Sequence, residues 1–127
     1  MTRLRGARYG EPVMVSRYVP DRGDVVWMNF SPQAGREQAG RRPAMILSSK
    51  AYNRKTGRCV ACPVTSQIKG YPFEFRLPVG CAVQGAVLAD HVKNQDWQAR
   101  QVDLADVVPD DFVDQVADLV DALMRGA

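Results

Sequence analysis

A carboxylate and an arginine lie five positions apart in a glycine-flanked loop at residues 35–43, just before an apolar run that predicts a strand. The carboxylate belongs to Glu37 and the guanidinium to Arg42. A guanidinium is always cationic and presents a planar fork of donors that fits a phosphate group, whereas a carboxylate can accept a proton. This pair of groups suits chemistry on a phosphodiester.

Five short motifs follow one another along the chain, and none of them is specific when taken alone. They are GDVVW at 23–27, EQAG at 37–40, RP at 42–43, PVTSQ at 63–67 and KGYPF at 69–73. In that order and spacing they resemble the MazF/PemK toxins, which are ribosome-independent endoribonucleases of bacterial toxin-antitoxin pairs. The resemblance extends from about residue 14 to the C-terminus.

The resemblance implies a catalytic set formed by Glu37, Arg42 and Thr65. Cleavage of RNA through its own 2′-hydroxyl needs a proton acceptor, charge stabilisation at the phosphate and a proton donor for the leaving oxygen. Glu37 fits the acceptor, because neighbouring arginines keep a loop carboxylate ionised. Arg42 fits charge stabilisation, since arginine has a pKa above about 12, and Thr65 can donate its hydroxyl to a phosphate oxygen. Without the motifs, an ion pair and a strand cap would be the preferred interpretations.

Substrate contacts are predicted outside this set. Tyr71 and Trp97 are expected to stack on single-stranded bases, whereas Trp27, in mid-strand, is expected in the core. The sole histidine, His91, is far from the 35–43 loop in sequence and is expected on the face of a strand, with a substrate contact as the alternative. Phosphate contacts are assigned to five cations, which are Arg36, Arg41, Lys69, Lys93 and Arg100.

The charge distribution favours a polyanion as partner. Residues 1–102 carry 16 Lys and Arg against 7 Asp and Glu, a net +9, whereas residues 103–127 carry 1 against 7, a net −6. Clustered cations attract phosphates. A length of 127 residues predicts one domain, expected at 14–127, after a flexible extension at 1–13 that lacks the apolar core of a signal peptide. No apolar run approaches the ~20 residues of a membrane span, so we expect a soluble chain.

Three cysteines, an odd number, argue against a disulfide framework and fit a reducing cytoplasm. Cys59 and Cys62, with Cys81 and His91, suggest a zinc site as an alternative. In a strand, however, side chains three apart point to opposite faces, so the first two thiols should diverge. We therefore expect no metal site.

The predicted elements are short strands separated by polar loops and followed by one amphipathic helix. A short helix is expected from Ser48 or Ser49 to Arg54, closed by Gly57, and the C-terminal helix from about Pro109 to Gly126. Strands are predicted at 25–30, 43–48, 59–65, 73–77, 83–92 and 97–102. The pattern indicates an α+β, mainly β fold, and the resemblance implies a small SH3-like β-barrel of the CcdB/MazF type.

The resemblance implies a sequence-specific, metal-independent endoribonuclease that cuts single-stranded RNA and leaves 2′,3′-cyclic phosphate and 5′-hydroxyl ends. No cofactor is implied. The expected partners are a second copy of the chain and a MazE-like antitoxin, and the free toxin would arrest growth. Two alternatives stay open: CcdB-type toxins share this architecture but poison DNA gyrase, and a nucleic-acid-binding barrel could lack turnover.

Overall fold

The computed structural model of the chain describes residues 18–30 and 40–126. The predicted extension at 1–13 and the loop residues Arg36 and Glu37 lie outside the described residues. In chain order, the elements are β1 (Asp24–Phe30), β2 (Gly40–Ile46), α1 (Lys50–Thr56), β3 (Arg58–Thr65), β4 (Glu74–Arg76), β5 (Ala86–Leu88), a 3₁₀ turn (Ala89–His91), β6 (Lys93–Asp96), β7 (Asp103–Val107) and α2 (Asp110–Arg125).

All strand pairs are antiparallel, and the sheet follows the order β4-β5-β3-β2-β1-β7. β3 holds the sheet together: one of its edges bonds to β2, and its other edge bonds to β6 near the start of the strand and to β5 near its end. The predicted mainly β fold with a C-terminal helix is confirmed. Among the described residues, the pairings form an open path from β4 to β7 rather than a closed ring.

Side chains alternate between two faces of this sheet, and each face has its own core. Val25, Met45 and Cys62 belong to a first cluster, which α2 covers with Phe112, Val113 and Val116. Val26, Met28, Ala44, Ile46, Cys59 and Ala61 belong to a second cluster, which Trp97 covers. The apolar run in β2 is therefore buried on both faces.

Helix α1 is short but firmly attached. The side chain of Ser49 accepts a hydrogen bond from the Tyr52 amide at the N-terminus, and Gly57, at φ 73°, ends the helix, so both predicted caps are confirmed. Asn53 is fully buried, and its amide donates to the carbonyl oxygens of Pro20 at 2.7 Å and Ser48 at 3.1 Å. The helix thereby connects the chain before β1 to the turn after β2.

Helix α2 follows the predicted amphipathic pattern. It starts after Pro109, carries Asp110 and Asp111 in its first turn, where the positive end of the helix dipole favours carboxylates, and ends at Gly126. The ring of Phe112 lies 4.9 Å from that of Phe75, centroid to centroid. The helix is thus anchored on the first cluster beside β4.

Several sequence predictions are wrong in detail. The expected strand at 83–92 is the short β5 followed by the 3₁₀ turn, and the polar segment expected as a linker is strand β6. The strand expected at 97–102 is a turn, whereas β7, rich in aspartate, was not predicted. Trp27 is 39% exposed rather than in the core. For β6 and β7, sheet pairing overrides local composition.

In the described ranges, no helix combines the length and the apolar character that a membrane crossing requires.

Candidate active site

Arg42 lies in β2, and the register of β2 with β3 places it beside the end of β3. Ala44 pairs with Pro63 and Met45 with Cys62, so the same register continued by two residues sets Arg42 opposite Thr65. Residues two apart in a strand share a face, so both side chains lie on the sheet face that carries the second cluster. They follow its apolar residues along that face. Arg42 is half-buried there.

Thr65 ends β3, and its position is fixed on two sides. Its backbone pairs with Ala86 of β5, and its hydroxyl oxygen accepts a hydrogen bond from the Gln67 amide at 3.0 Å. A hydroxyl that accepts one hydrogen bond can still donate its own proton. Behind it, a Cβ added to Gly85 would lie 2.3 Å from the Thr65 carbonyl oxygen, so only glycine permits this approach. The backbone of Thr65 is therefore held closely by β5 and Gly85.

Arg42 and Thr65 line one open cavity of about 200 Å³, together with Phe30, Pro63, Leu88, His91 and Lys93. A second cavity of about 140 Å³ adjoins it and shares Thr65, Leu88 and His91. Its other lining residues are Gln67, Lys69, Tyr71 and Glu74. We call the two cavities together the Arg42–Thr65 groove. The groove combines three cations with apolar side chains and the aromatic rings of Phe30 and Tyr71, which suits a phosphate with its neighbouring base.

The far end of the groove is held by hydrogen bonds to carboxylates. The Tyr71 hydroxyl donates to Asp90 Oδ1 at 2.8 Å, and Glu74 accepts the amide N–H groups of Lys69, at 3.0 Å, and Gly70, at 2.6 Å. Partial burial, together with the hydrogen bond to Asp90, raises the pKa of Tyr71 to about 12. Tyr71 is therefore neutral near pH 7, and its proton is committed to Asp90.

Three of the predicted RNA contacts lie in this groove, namely Lys69, Tyr71 and Lys93. Arg36 and the predicted base, Glu37, fall outside the described residues. Arg42 and Thr65 are brought together as the motifs implied.

Arg41, by contrast, lies on the opposite face of β2. Its guanidinium donates to Asn29 Oδ1 at 2.9 Å and to the Gln101 carbonyl at 2.7 Å, and it forms an ion pair with Asp103. Strand alternation therefore separates Arg41 from Arg42, and Arg41 does not line the groove; its predicted phosphate contact stays a prediction.

Arg100 and Trp97 also lie away from the groove. Arg100 is half-buried and donates to the Asn29 carbonyl at 3.1 Å. Trp97 is only 6% exposed, and its indole N–H donates to the Asn53 carbonyl at 2.8 Å. The predicted stacking of RNA bases on Trp97 is therefore wrong, since the ring covers the second core cluster.

The expectation that His91 lies on the face of a strand is wrong, whereas the alternative, a substrate contact, stays a prediction. His91 ends the 3₁₀ turn after β5, its side chain is 53% exposed, and it lines both cavities of the groove beside Thr65. Its Nε2 lies 3.9 Å from Asp90 Oδ1. The large sequence separation suggested that His91 lies far from Arg42. The antiparallel pairing of β3 with β5, which brings the two residues to one groove, leaves no signal in the local sequence. The neighbouring Asp90, which holds Tyr71, was missed for the same reason.

The thiols diverge as predicted. Cys59 is buried in the second cluster and Cys62 in the first, on opposite faces of β3. Burial raises the pKa of Cys59 to about 11 and that of Cys62 to about 12. Both are structural apolar side chains rather than a ligand pair.

Comparison with known proteins identifies the family. The model of the PemK-like, MazF-like toxin of type II toxin-antitoxin systems matches residues 21–124. The chain belongs to this toxin family. The MazF endoribonuclease toxin of Escherichia coli K12 is 56% identical to this MazF-like chain over 87 residues, which cover 68% of this chain and 78% of that protein. The Escherichia coli endoribonuclease PemK is 32% identical over 101 residues, which cover 76% and 75% of the two chains.

The fold of the MazF-like chain is shared with solved structures. A chain in a crystal structure of MazE-MazF from Deinococcus radiodurans superposes with a TM-score of 0.80 at 50% sequence identity, covering 87% of this chain and 100% of that one. A crystal structure of MazF from the same organism also gives a TM-score of 0.80 at 50% identity, covering 86% and 99%. The expected toxin fold is thereby confirmed.

Proposed function

We propose that this toxin is a sequence-specific endoribonuclease that cuts single-stranded RNA through the ribose 2′-hydroxyl, without a metal ion. The convergence of Arg42 and Thr65 on one cavity carries the proposal. Those two residue types supply a permanent positive charge and a hydroxyl donor for the same phosphate. The curated relatives bear the name endoribonuclease, which supports the same reaction class here.

The proposed reaction is an in-line transesterification. The 2′-oxygen attacks the phosphorus, the bond from phosphorus to the 5′-oxygen breaks, and the products carry a 2′,3′-cyclic phosphate and a 5′-hydroxyl. Negative charge builds on the nonbridging oxygens, where the Arg42 guanidinium and the Thr65 hydroxyl would donate hydrogen bonds. Donors aimed at such developing charge are worth about 10²–10³ in rate each.

Glu37 is proposed as the base that takes the proton of the 2′-hydroxyl. It is the carboxylate of the EQAG motif, three residues before β2 begins at Gly40, and Arg42 lies two residues into that strand. This short separation supports a common site. The test is Glu37→Gln, which keeps the shape of the side chain but removes its basicity, and which should slow cutting about 10²–10⁴-fold.

RNA binding is proposed to follow the groove. Lys93 and Lys69 would contact phosphates on the two sides of the scissile linkage, and the ring of Tyr71 would face an unstacked base. Such contacts would make the affinity for RNA dependent on salt. Arg36 remains a proposed phosphate contact, since it directly precedes Glu37 in the sequence.

The partners and location are proposed from the family. A second copy of this chain would form a homodimer, and a MazE-like antitoxin would neutralise the toxin, by analogy with the MazE-MazF pair crystallised from Deinococcus radiodurans. The site of action would be the cytoplasm, where transcripts occur, and the free toxin would arrest growth. The proposed domain spans residues 14–127, after an extension at 1–13.

One experiment tests the reaction itself. The protein is incubated with a single-stranded RNA in excess EDTA, beside a copy of that RNA in which hydrogen replaces every ribose 2′-hydroxyl. We expect cutting of the first RNA only, with ends that read as 2′,3′-cyclic phosphate.

The outcomes separate the alternatives. Binding of both polymers without cutting would indicate a nucleic-acid-binding barrel, and inhibition of DNA gyrase without RNA cleavage would indicate a CcdB-like poison. Cutting that stops in EDTA and returns with a divalent ion would overturn metal independence alone.

A further inference from the structure

We propose that His91 donates the proton to the 5′-oxygen that leaves when the RNA is cut. This inference rests on the proposed function, which supplies a base and charge stabilisation but no proton donor. A leaving alkoxide is strongly basic, so a positioned acid at that oxygen accelerates cleavage substantially.

The position of His91 carries the inference. Thr65, Leu88 and His91 are the three residues shared by the two cavities of the groove, so His91 lies at their junction. The first cavity holds Arg42 and is the proposed phosphate site, and the second leads toward Tyr71. A linkage that runs through the groove would place its leaving side at this junction. The side chain is 53% exposed, so substrate can reach it.

The other groups that line the groove are poorly suited to donate a proton near pH 7. The cations of the groove are arginine and lysine, which are side-chain types that hold their protons tightly near neutrality. Tyr71 has its pKa raised to about 12 and already donates to Asp90. Glu74 is held as an acceptor by two amide groups. Histidine is the side-chain type that exchanges a proton near neutrality.

The proposed step balances in atoms and charge. The 2′-oxygen–phosphorus bond forms while the 2′-hydroxyl proton passes to the Glu37 carboxylate. The bond from phosphorus to the 5′-oxygen breaks while a protonated His91 gives its proton to that oxygen. The enzyme ends with Glu37 protonated and His91 neutral, and exchange with water restores both.

The test replaces the leaving oxygen. A short RNA is made around a linkage that the enzyme cuts, once with the normal 5′-oxygen and once with sulfur at that bridging position. A thiolate leaves without a proton, so the sulfur substrate needs no acid. We expect His91→Ala and His91→Gln to cut the normal RNA about 10²–10⁴-fold more slowly than the unsubstituted protein, and to cut the sulfur RNA within about tenfold of it.

Two other variants serve as controls. Arg42→Ala should be slow on both substrates, because charge stabilisation at the phosphate is needed whichever atom leaves. The Lys93→Met variant should also cut the normal RNA and the sulfur RNA more slowly, by a similar factor for each. Melting curves of each variant check that the fold is kept.

Each alternative outcome is decisive. Equal losses on both substrates in the His91 variants, or no loss on either, would overturn the role of proton donor. Selective rescue of Lys93→Met by sulfur would make the lysine the acid instead. If the unsubstituted protein cuts neither RNA, the proposed nuclease function fails and His91 loses its role with it.

Discussion

Two adjacent arginines have opposite roles because a strand alternates its side chains. Arg42 faces the groove, whereas Arg41 is tied on the other face to Asn29, Gln101 and Asp103. Composition treats the two residues as equivalent cations. Their positions in the fold differ, since Arg42 lines the groove and Arg41 does not.

This difference predicts the effects of two matched substitutions. Arg42→Ala should slow RNA cutting about 10²–10³-fold, because the phosphate loses its cationic donor. Arg41→Ala should leave the cutting rate little changed and reduce the free energy of unfolding by at most about 1 kcal/mol, since exposed ion pairs contribute little. Initial rates on one RNA and urea melts of both variants check this. Comparable loss of rate in the Arg41 variant would disprove the assignment by face.

At the scale of elements, the site depends on how closely β5 approaches the end of β3. The backbone before β5 passes so near Thr65 that Gly85 has no room for a side chain, and its φ of +132° is unfavourable for other residues. The turn that follows β5 then carries His91 into the groove. The position of two site residues therefore depends on one glycine.

Gly85→Ala should reduce both stability and activity. The added Cβ would meet the Thr65 carbonyl oxygen at 2.3 Å, so Thr65 must move, and we expect unfolding to become easier by about 1–3 kcal/mol. Gly80→Ala is the matched control, because Gly80 also has a positive φ, of +94°, but nothing lies within 4 Å of its Cβ. The control should lose some stability without a selective loss of cutting. Equal activities in the two variants, measured well below their melting temperatures, would refute this role of Gly85.

The junction of α1 with the sheet gives a second prediction at this scale. Asn53→Ala should lower the free energy of unfolding by about 2–3 kcal/mol, because the carbonyls of Pro20 and Ser48 lose their buried donor. Arg54→Ala, the next and exposed residue of the same helix, should change it by less than about 0.5 kcal/mol. Urea denaturation of the two variants gives the comparison. A small effect at Asn53 would mean that water replaces the lost amide.

For the molecule as a whole, the sheet separates two cores and buries one thiol in each. Cys59 and Cys62 both have 0% exposure, and burial raises the pKa of each thiol. The unfolded chain would release these protons at a lower pH than the folded chain does. The charge asymmetry is also global, since the aspartates of the acidic C-terminal segment all lie in β7 and α2.

The thiols predict how stability depends on pH. The pKa of each thiol is higher in the folded chain than the value near 9 expected in the unfolded chain, so the folded state keeps this contribution to its stability in full below about pH 9. The contribution is lost as the pH rises through the folded pKa values of about 11 and about 12. The free energy of unfolding should therefore fall between about pH 8 and pH 10.5, as urea melts at each pH would show. A variant with Cys59→Ala and Cys62→Ala, although less stable at pH 7, should lose less over the same interval. An equally steep fall in that variant would assign the effect to other groups, such as Tyr18, whose pKa is also raised by burial.

Local signals in the amino-acid sequence were enough to predict the family, the mainly β class, both helices with their caps and the opposite faces of Cys59 and Cys62. Those signals are motif spacing, capping residues and the two-residue and 3.6-residue periods of side chains. The sequence also identified Arg42 and Thr65 as candidate site residues, because both lie within the motifs.

The three-dimensional arrangement was needed to establish which cations face the groove and where His91, Trp27 and Trp97 lie. The reason is that one edge of β3 pairs first with β6 and then, further along the strand, with β5. Such pairing brings together residues that are distant in sequence, and it leaves no local sequence pattern. Strand β6 is polar and β7 acidic, so neither resembles a strand in composition, and only their neighbours in the sheet make them strands.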